Sequence, residues 1–566
     1  MPDRSVLAVV DSSAAQARAT AETALMLALQ HFRAPRRVAD LASGGLARHL
    51  DSLPAVIIIG QPGLASKLSA ADIDALCRVV RSGVGLINLD GELAARCPDL
   101  LAPVITGAAQ VAFEAAAAIT TGREHSIIAG RRSDRLPFTN PVRSWPGRPA
   151  AGAAVLMEDD SGAPLVIAGG AGEGRIVHFC CAPELWTFDH LGHGAGLDDV
   201  FWRSIVWAAR KPFAMLAMPP FVTVRIDDAS GSGSIFARAR DSAALRFDYI
   251  DELNRHGFLP NVGLFIDDIT EDDVAVIHAK WAAKEAQFSP HAFRDPRNIA
   301  EFQIYMRHEG TEYSEEELRE NFERVDEKFA AWRITPSRTL NAHFYEAGVN
   351  AVPFFRERGW MYMMTEVRFG KGYRDPEART WFPRPYGHFG YILDEMPDYP
   401  EFFDVLSHYN PAVGLAGSVD FLGGKTVFWN ESMHNNLEGA IEQGAAMIAR
   451  GLDNLVFGVL MTHEQRIASL GIAEWRRILH GIIRELEGYE KIFVPYDEIS
   501  DYARARHAVD LGRATYREGD GTLECAIVGE ADRELLLHVF TEEQGEVVRT
   551  FHRLPAGREV VFQVRV

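Results

Sequence analysis

The sequence predicts an α/β protein in three parts: an open-sheet domain over residues 1–215, a barrel-like domain over 216–505 and a small antiparallel β domain over 506–566. Two patterns carry this expectation. Through the first two parts, short apolar runs alternate with helical stretches, as in parallel sheets whose strands are joined by helices. In the last part the runs TLECAIVG, ELLLHVFT, EVVRTFHRL and REVVFQVRV follow one another across turns of Gly, Pro and acidic residues. A length of 566 residues agrees, at about 100–200 residues per domain.

Residues 6–10 form an apolar strand, followed by an Ala- and Leu-rich helix to about residue 29. AVIIIG at 55–60 reads as a buried strand closed by Gln61, Pro62 and Gly63. Ser69 caps a helix reaching Arg81, and GVGLINLDG returns as a strand. APLVIAGGAGEGRIVHFCCAP reads as two strands around a Gly-rich turn, and a helix over 197–210 ends at Lys211–Pro212. The middle part opens on the strand FVTVRIDD, then a helix over 249–256 and the strand NVGLFIDD. Ser314 and Glu317 form a capping-box pair ahead of Leu318, Phe322, Val325 and Phe329, which share a helical face. Trp475, Ile478, Leu479, Ile482 and Leu486 mark a second such helix, and GWMYMM and NLVFGVLM are strands between the two.

The net charge of −20 repels polyanions, so nucleic acid is excluded as the main partner. No run of ~18 apolar residues reads as a membrane span, and the N-terminal residues do not read as a signal peptide. The five cysteines, Cys77, Cys97, Cys180, Cys181 and Cys525, form no CxxC pair and no disulfide framework. Buried thiols in a reducing compartment follow, and the expected location is cytoplasmic.

Chemistry-bearing residues gather where strands end. Asp227 and Asp228 close FVTVRIDD. Adjacent residues on a strand face opposite ways, but a turning backbone at the strand end lets both carboxylates meet one cleft. SPHAFRD holds His291 and Asp295; TLNAHFYEAG holds His343, Tyr345 and Glu346; VFGVLMTHEQ places His463 at the end of an apolar strand. Functional groups collect at that end in barrel enzymes. Buried acids there need a partner such as a metal.

On these residues the middle part resembles the polysaccharide deacetylase superfamily, metal-dependent carbohydrate esterases with a distorted (β/α) barrel. The resemblance implies Asp227 as general base, Asp228, His291 and His343 as metal ligands with Asp295 as the alternative ligand, and His463 as acid. SPHAFRD departs from the family, whose second metal His falls where Asp295 stands. SEEELRENFERVDEKF matches the family's acidic helix, and IFVPYDEISDYA its closing stretch. A second register aligns WFPRPYG, with Arg384, Pro385, Tyr386 and Gly387, to the family's loop and makes NAHFYE the metal motif. The first register keeps the capped acidic helix directly after the metal His. Tyr345, Glu346, Arg384, Tyr386 and Trp429 are the expected substrate-binding residues.

The first part, through AVIIIGQPG and GEGRIVHF, resembles the flavodoxin-like open sheet of class I glutamine amidotransferases. Cys77 lies within the helical pattern ADIDALCRVV rather than on a turn, so this part reads as a non-catalytic relative and a possible site of homo-oligomerisation. A Zn²⁺ ion held by His nitrogens and a carboxylate, acting on an acetylated amino sugar or other acylated saccharide, is the expected chemistry. Two alternatives stay open. One is a glycoside hydrolase in which Glu346 or Glu431 supplies a carboxylate. The other is a non-catalytic carbohydrate-binding protein with Trp381, Tyr386 and Trp429 as platforms.

Overall fold

The structure is a computed structural model. It describes the chain except residues 1, 14, 107–113, 122–124, 130–135, 187–189, 191–196, 235–245, 296–301, 308–310, 366–391, 397, 408–419 and 423–435. The chain forms a mixed α/β fold in two compact units, Met1–Met218 with Ala505–Val566, and Pro219–Arg504. Among the described residues no helix is long and apolar enough to cross a membrane.

The first unit is built on a nine-stranded sheet. Its parallel half runs in the spatial order Arg36–Asp40, Val6–Val10, Val56–Ile59, Gly85–Asn88 and Gly174–Phe179. Val6–Val9 and Val56–Ile59 are fully buried, the unbroken apolar pattern of strands covered on both faces. The Gly-rich turn lies between the antiparallel strands Pro164–Ala171 and Gly174–Phe179. Ser69 caps the helix Ala70–Arg81 in a reciprocal box with Asp72.

The C-terminal strands belong to this same unit, where the sequence reads as a separate domain. Phe213–Met215 pairs antiparallel with Leu535–Glu543, so residues on both sides of the second unit share one sheet. Arg36 forks onto Asp510 at 3.0 and 2.8 Å, and buried Arg506 donates to Leu216 O at 2.7 Å.

The second unit carries two sheets. In one, Gln287–Ala292, Pro260–Phe265, Phe221–Ala229 and Gly458–His463 lie side by side and parallel, with Ile492–Phe493 also on Phe221–Ala229. In the other, Thr339–Leu340, Tyr362–Thr365 and Tyr399–Leu406 are parallel and Leu393–Met396 is antiparallel. The expected closed barrel is not found among the described residues. Where Gln287–Ala292 meets Thr339–Leu340, polar side chains replace a strand ladder. Ser289 Oγ donates to Thr339 O at 3.1 Å and Asn261 Nδ2 to the same oxygen at 3.3 Å.

Helices cover the first of these sheets. Glu315–Trp332 starts in the Ser314–Glu317 capping box, with three glutamates in its first turn favoured by the helix dipole. It buries Leu318, Phe322, Val325, Phe329 and Trp332 at the 4-3-4-3 spacing of one helical face. Ile472–Glu485 buries Trp475, Ile478, Leu479 and Ile482 in the same core, each worth roughly 1.5–3 kcal/mol of apolar burial. This packing fixes the C-terminal ends of the parallel strands, where the site forms.

Candidate metal and catalytic site

Phe221–Ala229 is buried along its whole length. Near its end the pairing register with Pro260–Phe265 shifts between Ile226 and Ala229, and Asp228 takes the left-handed backbone conformation, φ +57°. That conformation costs a residue with a Cβ roughly 1–2 kcal/mol, and Asp is among the side chains that tolerate it best. It breaks the strand alternation that would send Asp227 and Asp228 to opposite faces.

Asp227 is gripped from its own strand. Arg225, two residues back and so on the same face, donates Nε to Oδ1 and Nη2 to Oδ2, both at 2.7 Å. Asn341 Nδ2 adds a bond to Oδ1 at 2.7 Å. Burial pushes the Asp227 carboxyl up, but the Arg225 charge, neighbouring histidines and the hydrogen bond outweigh it and hold the group well below the carboxylate range.

Asp228 faces two histidines. Its Oδ1 lies 3.1 Å from His291 Nε2 and 3.5 Å from His343 Nε2. The ligand atoms of all three residues lie within 4.8 Å of one another, and all three residues are buried. Donors bound tetrahedrally to one Zn²⁺ at ~2.1 Å stand ~3.4 Å apart, so the two measured separations match a shared ion. Hydrogen bonding gives the same answer. His291 Nδ1 is 2.6 Å from Asn341 O, an acceptor only, so Nδ1 carries the proton. A carbonyl holding the far nitrogen is the usual support of a metal-bound His, and it leaves Nε2 facing the Asp228 carboxylate as the ring's ligand atom for a cation.

His343 stands in the short 3-10 turn His343–Tyr345, ringed by Phe265, Phe302 and Phe344 with centroids 5.3, 5.6 and 4.0 Å away. Burial, opposed by Asp228, pushes its pKa down to about 3, so its ring is neutral near pH 7 and available as a ligand. Its Nδ1 is buried with no partner among the described residues.

His463 ends Gly458–His463, directly across the ladder from Asp227. Its Nδ1 meets Asp420 Oδ2 at 2.5 Å, and Arg466 Nε lies 2.8 Å from the same oxygen. Burial pushes the His463 pKa down, but the Asp420 hydrogen bond and charge outweigh it and raise it above the usual histidine value. The side chain keeps 16% exposure, against 1–4% for Asp228, His291 and His343. It is the most exposed of these four.

The structure thus brings together Asp227, Asp228, His291, His343 and His463. Asp295 is not in the three-residue metal group; it is buried, and its backbone N donates to Asp268 Oδ2 at 3.0 Å, beyond the strand that carries His291. Glu346 is buried and accepts from Gln303 Nε2, which also donates to His343 O at 3.3 Å. Through Gln303 it braces the His343 turn. The side chain of Tyr345 and all of Trp381, Arg384, Tyr386, Trp429 and Glu431 lie outside the described residues. Cys77 sits in Ala70–Arg81, its thiol pushed up by burial.

Sequence reasoning missed Arg225, Asn341 and Asp420. Arg225 and Asn341 had a signal, each two residues before a site residue and so on its face of an extended chain. Asp420 had none, because only the fold brings it to His463.

No protein-family model and no curated protein matches the chain. Among solved structures, the chain is similar to Agd3, a carbohydrate deacetylase, over 100% of its own length and 99% of that chain, at 10% identity and a TM-score of 0.58. The chain shares the fold of Agd3. A candidate polysaccharide deacetylase from Mycobacterium smegmatis covers 53% of the chain at 13% identity and a TM-score of 0.33, and the cytoplasmic protein STM3548 from Salmonella typhimurium covers 37% at 15% and 0.27.

Proposed function

We propose that the chain is a metal-dependent deacetylase of the polysaccharide deacetylase superfamily, removing an acetyl or similar acyl group from an amino sugar or acylated saccharide. The observation that carries the proposal is the buried Asp228–His291–His343 group beside Asp227 and His463. The fold shared with Agd3 agrees with it. Asp228, His291 and His343 would hold a divalent cation, Zn²⁺ by the donor set of two nitrogens and one carboxylate oxygen, and it would supply the charge that polarises the acyl carbonyl and acidifies water.

The side chains divide the remaining work. Asp227 Oδ1 already accepts from Arg225 and Asn341, while among the described residues Oδ2 accepts from Arg225 alone, so Oδ2 receives the proton of the attacking water. The Arg225 fork keeps the carboxylate ionised and fixed in direction. His463, held at Nδ1 by Asp420, delivers a proton from Nε2 to the leaving amine or alkoxide. Phe265, Phe302 and Phe344 line His343 with apolar surface and keep bulk water from the ligands. In the first unit Cys77 lies in a helix with its pKa pushed up by burial, which does not suit it as a nucleophile.

The test is hydrolysis of a panel of N- and O-acetylated mono- and oligosaccharides before and after chelation. Acetate release that stops on chelation and returns with Zn²⁺ is the expected result. Cleavage of glycosidic bonds that survives chelation would overturn the proposal in favour of a glycosidase.

A further inference from the structure

We infer that Glu464 and Gln465, the two residues after His463, form a clamp that holds Asp228 in its ligand-presenting conformation; this rests on the metal reading of the site. The left-handed backbone at Asp228 turns its carboxylate toward His291 and His343, and something must hold it there. Gln465 Nε2 donates to Asp228 O at 2.9 Å, in a buried contact. Glu464 Oε2 accepts Ser230 N at 2.8 Å and Gly231 N at 3.1 Å. The backbone is therefore held from the Asp228 carbonyl onward, once through a carbonyl and twice through N–H groups. Glu464 is itself held through Oε1 by Tyr249 OH at 3.3 Å. The next N–H, that of Ser232, goes to Asp273 Oδ2 at 3.1 Å.

The clamp also joins two functions. His463, Glu464 and Gln465 lie where Gly458–His463 passes into the helix Glu464–Leu470. The segment that carries the proposed acid thus sets the pose of the metal carboxylate on the neighbouring strand. Neither Glu464 nor Gln465 belongs to the metal group, so both are positioning residues.

The experiment measures the zinc dissociation constant of the full chain by competition with a chromophoric chelator, alongside the melting temperature of the metal-free protein. Gln465→Met removes the donor at similar volume, and Glu464→Leu removes both acceptor positions. Each raises the dissociation constant roughly 10–100-fold, the usual effect of losing a group that orients a ligand. Glu464→Gln keeps an oxygen for Ser230 and Gly231 and stays close to wild type. Should Glu464→Leu or Gln465→Met fail to fold, Gln465→Asn, one methylene too short to reach Asp228 O, gives the same reading. Folded Gln465→Met and Glu464→Leu with wild-type zinc affinity overturn the inference, as does a Glu464→Gln variant as weak as Glu464→Leu. A wild type that binds no zinc overturns the metal reading itself. Zinc binding weakened by Asp228→Ala but by none of the clamp variants overturns this inference alone.

Discussion

Asp227 and Asp228 are chain neighbours with different partners, an Arg fork for one and two histidines for the other, and substitution separates them. Asp227→Asn keeps the shape and the Asn341 contact region but cannot take a proton at neutral pH. It is expected to stay folded and metal-loaded and to lose about 10²–10⁴ in kcat, measured at saturating substrate. Near-normal turnover, or loss of metal instead of kcat, contradicts the assignment of Asp227 as base.

His463 gives a pH prediction. Asp420 raises its pKa, with Asp228 and Asp227 adding in the same direction and burial opposing; Arg466 also faces Asp420. A raised pKa keeps the acid form present to higher pH. Activity that needs the protonated ring therefore falls on the alkaline side, and Asp420→Asn moves that limb of the kcat/KM profile to lower pH. An unmoved limb assigns the acid elsewhere.

These residues were visible in the sequence to different degrees. Asp227, Asp228, His291, His343 and His463 stood out because each closes an apolar run or begins the loop beyond one. The left-handed turn at Asp228 was not visible, because it depends on Gln465 and Glu464, more than 230 positions away. Asp295 was the alternative ligand through the resemblance, standing where that family has its second metal His. In the fold the chain has left the strand by then, and its backbone is turned to Asp268.

Between elements, the helices Asp248–Arg255 and Ile472–Glu485 are tied by Glu252, which Arg476 grips at 2.8 and 2.7 Å. The Arg476 bonds come first and outweigh burial; with Arg255 they bring the Glu252 pKa down to about 2. A depressed folded-state pKa means that the bond contributes fully above the unfolded value of ~4.3 and is lost as pH falls toward about 2. Arg476 is mostly exposed, so screening by solvent and salt keeps the contribution small. Glu252→Gln is expected to lower the melting temperature at pH 7 and to narrow its gap to wild type as pH drops below ~4. A gap independent of pH would show that the ion pair contributes nothing. Helix boundaries and faces were the most legible part of the sequence. The Ser314 box and the 318–329 apolar face appear as read, since both follow from local hydrogen bonding and a 3.6-residue period.

Over the whole chain, long-range pairing was the least legible. The strand-like runs after residue 506 were correctly seen as antiparallel, yet nothing local announces that Leu535–Glu543 pairs with Phe213–Met215. Nor does the strand–helix alternation of the second unit say whether its strands close a ring or, as among the described residues, form two sheets joined by side-chain bonds. The pairing has a consequence. A chain ending at residue 504 loses the partners of Phe213–Met215 and Arg36, so the first unit is expected to melt lower or aggregate. Two-transition calorimetry of full and shortened chains reads this directly, and an unchanged first-unit transition would mean that the C-terminal strands are dispensable.

The most direct measurement on the site is elemental analysis of the purified chain after removal of loosely held ions, with Asp228→Ala, His291→Ala and His343→Ala beside wild type. About one divalent ion per wild-type chain, and much less in all three folded variants, is the predicted outcome. Equal metal content in wild type and variants, or none in any, contradicts a metal centre at Asp228, His291 and His343.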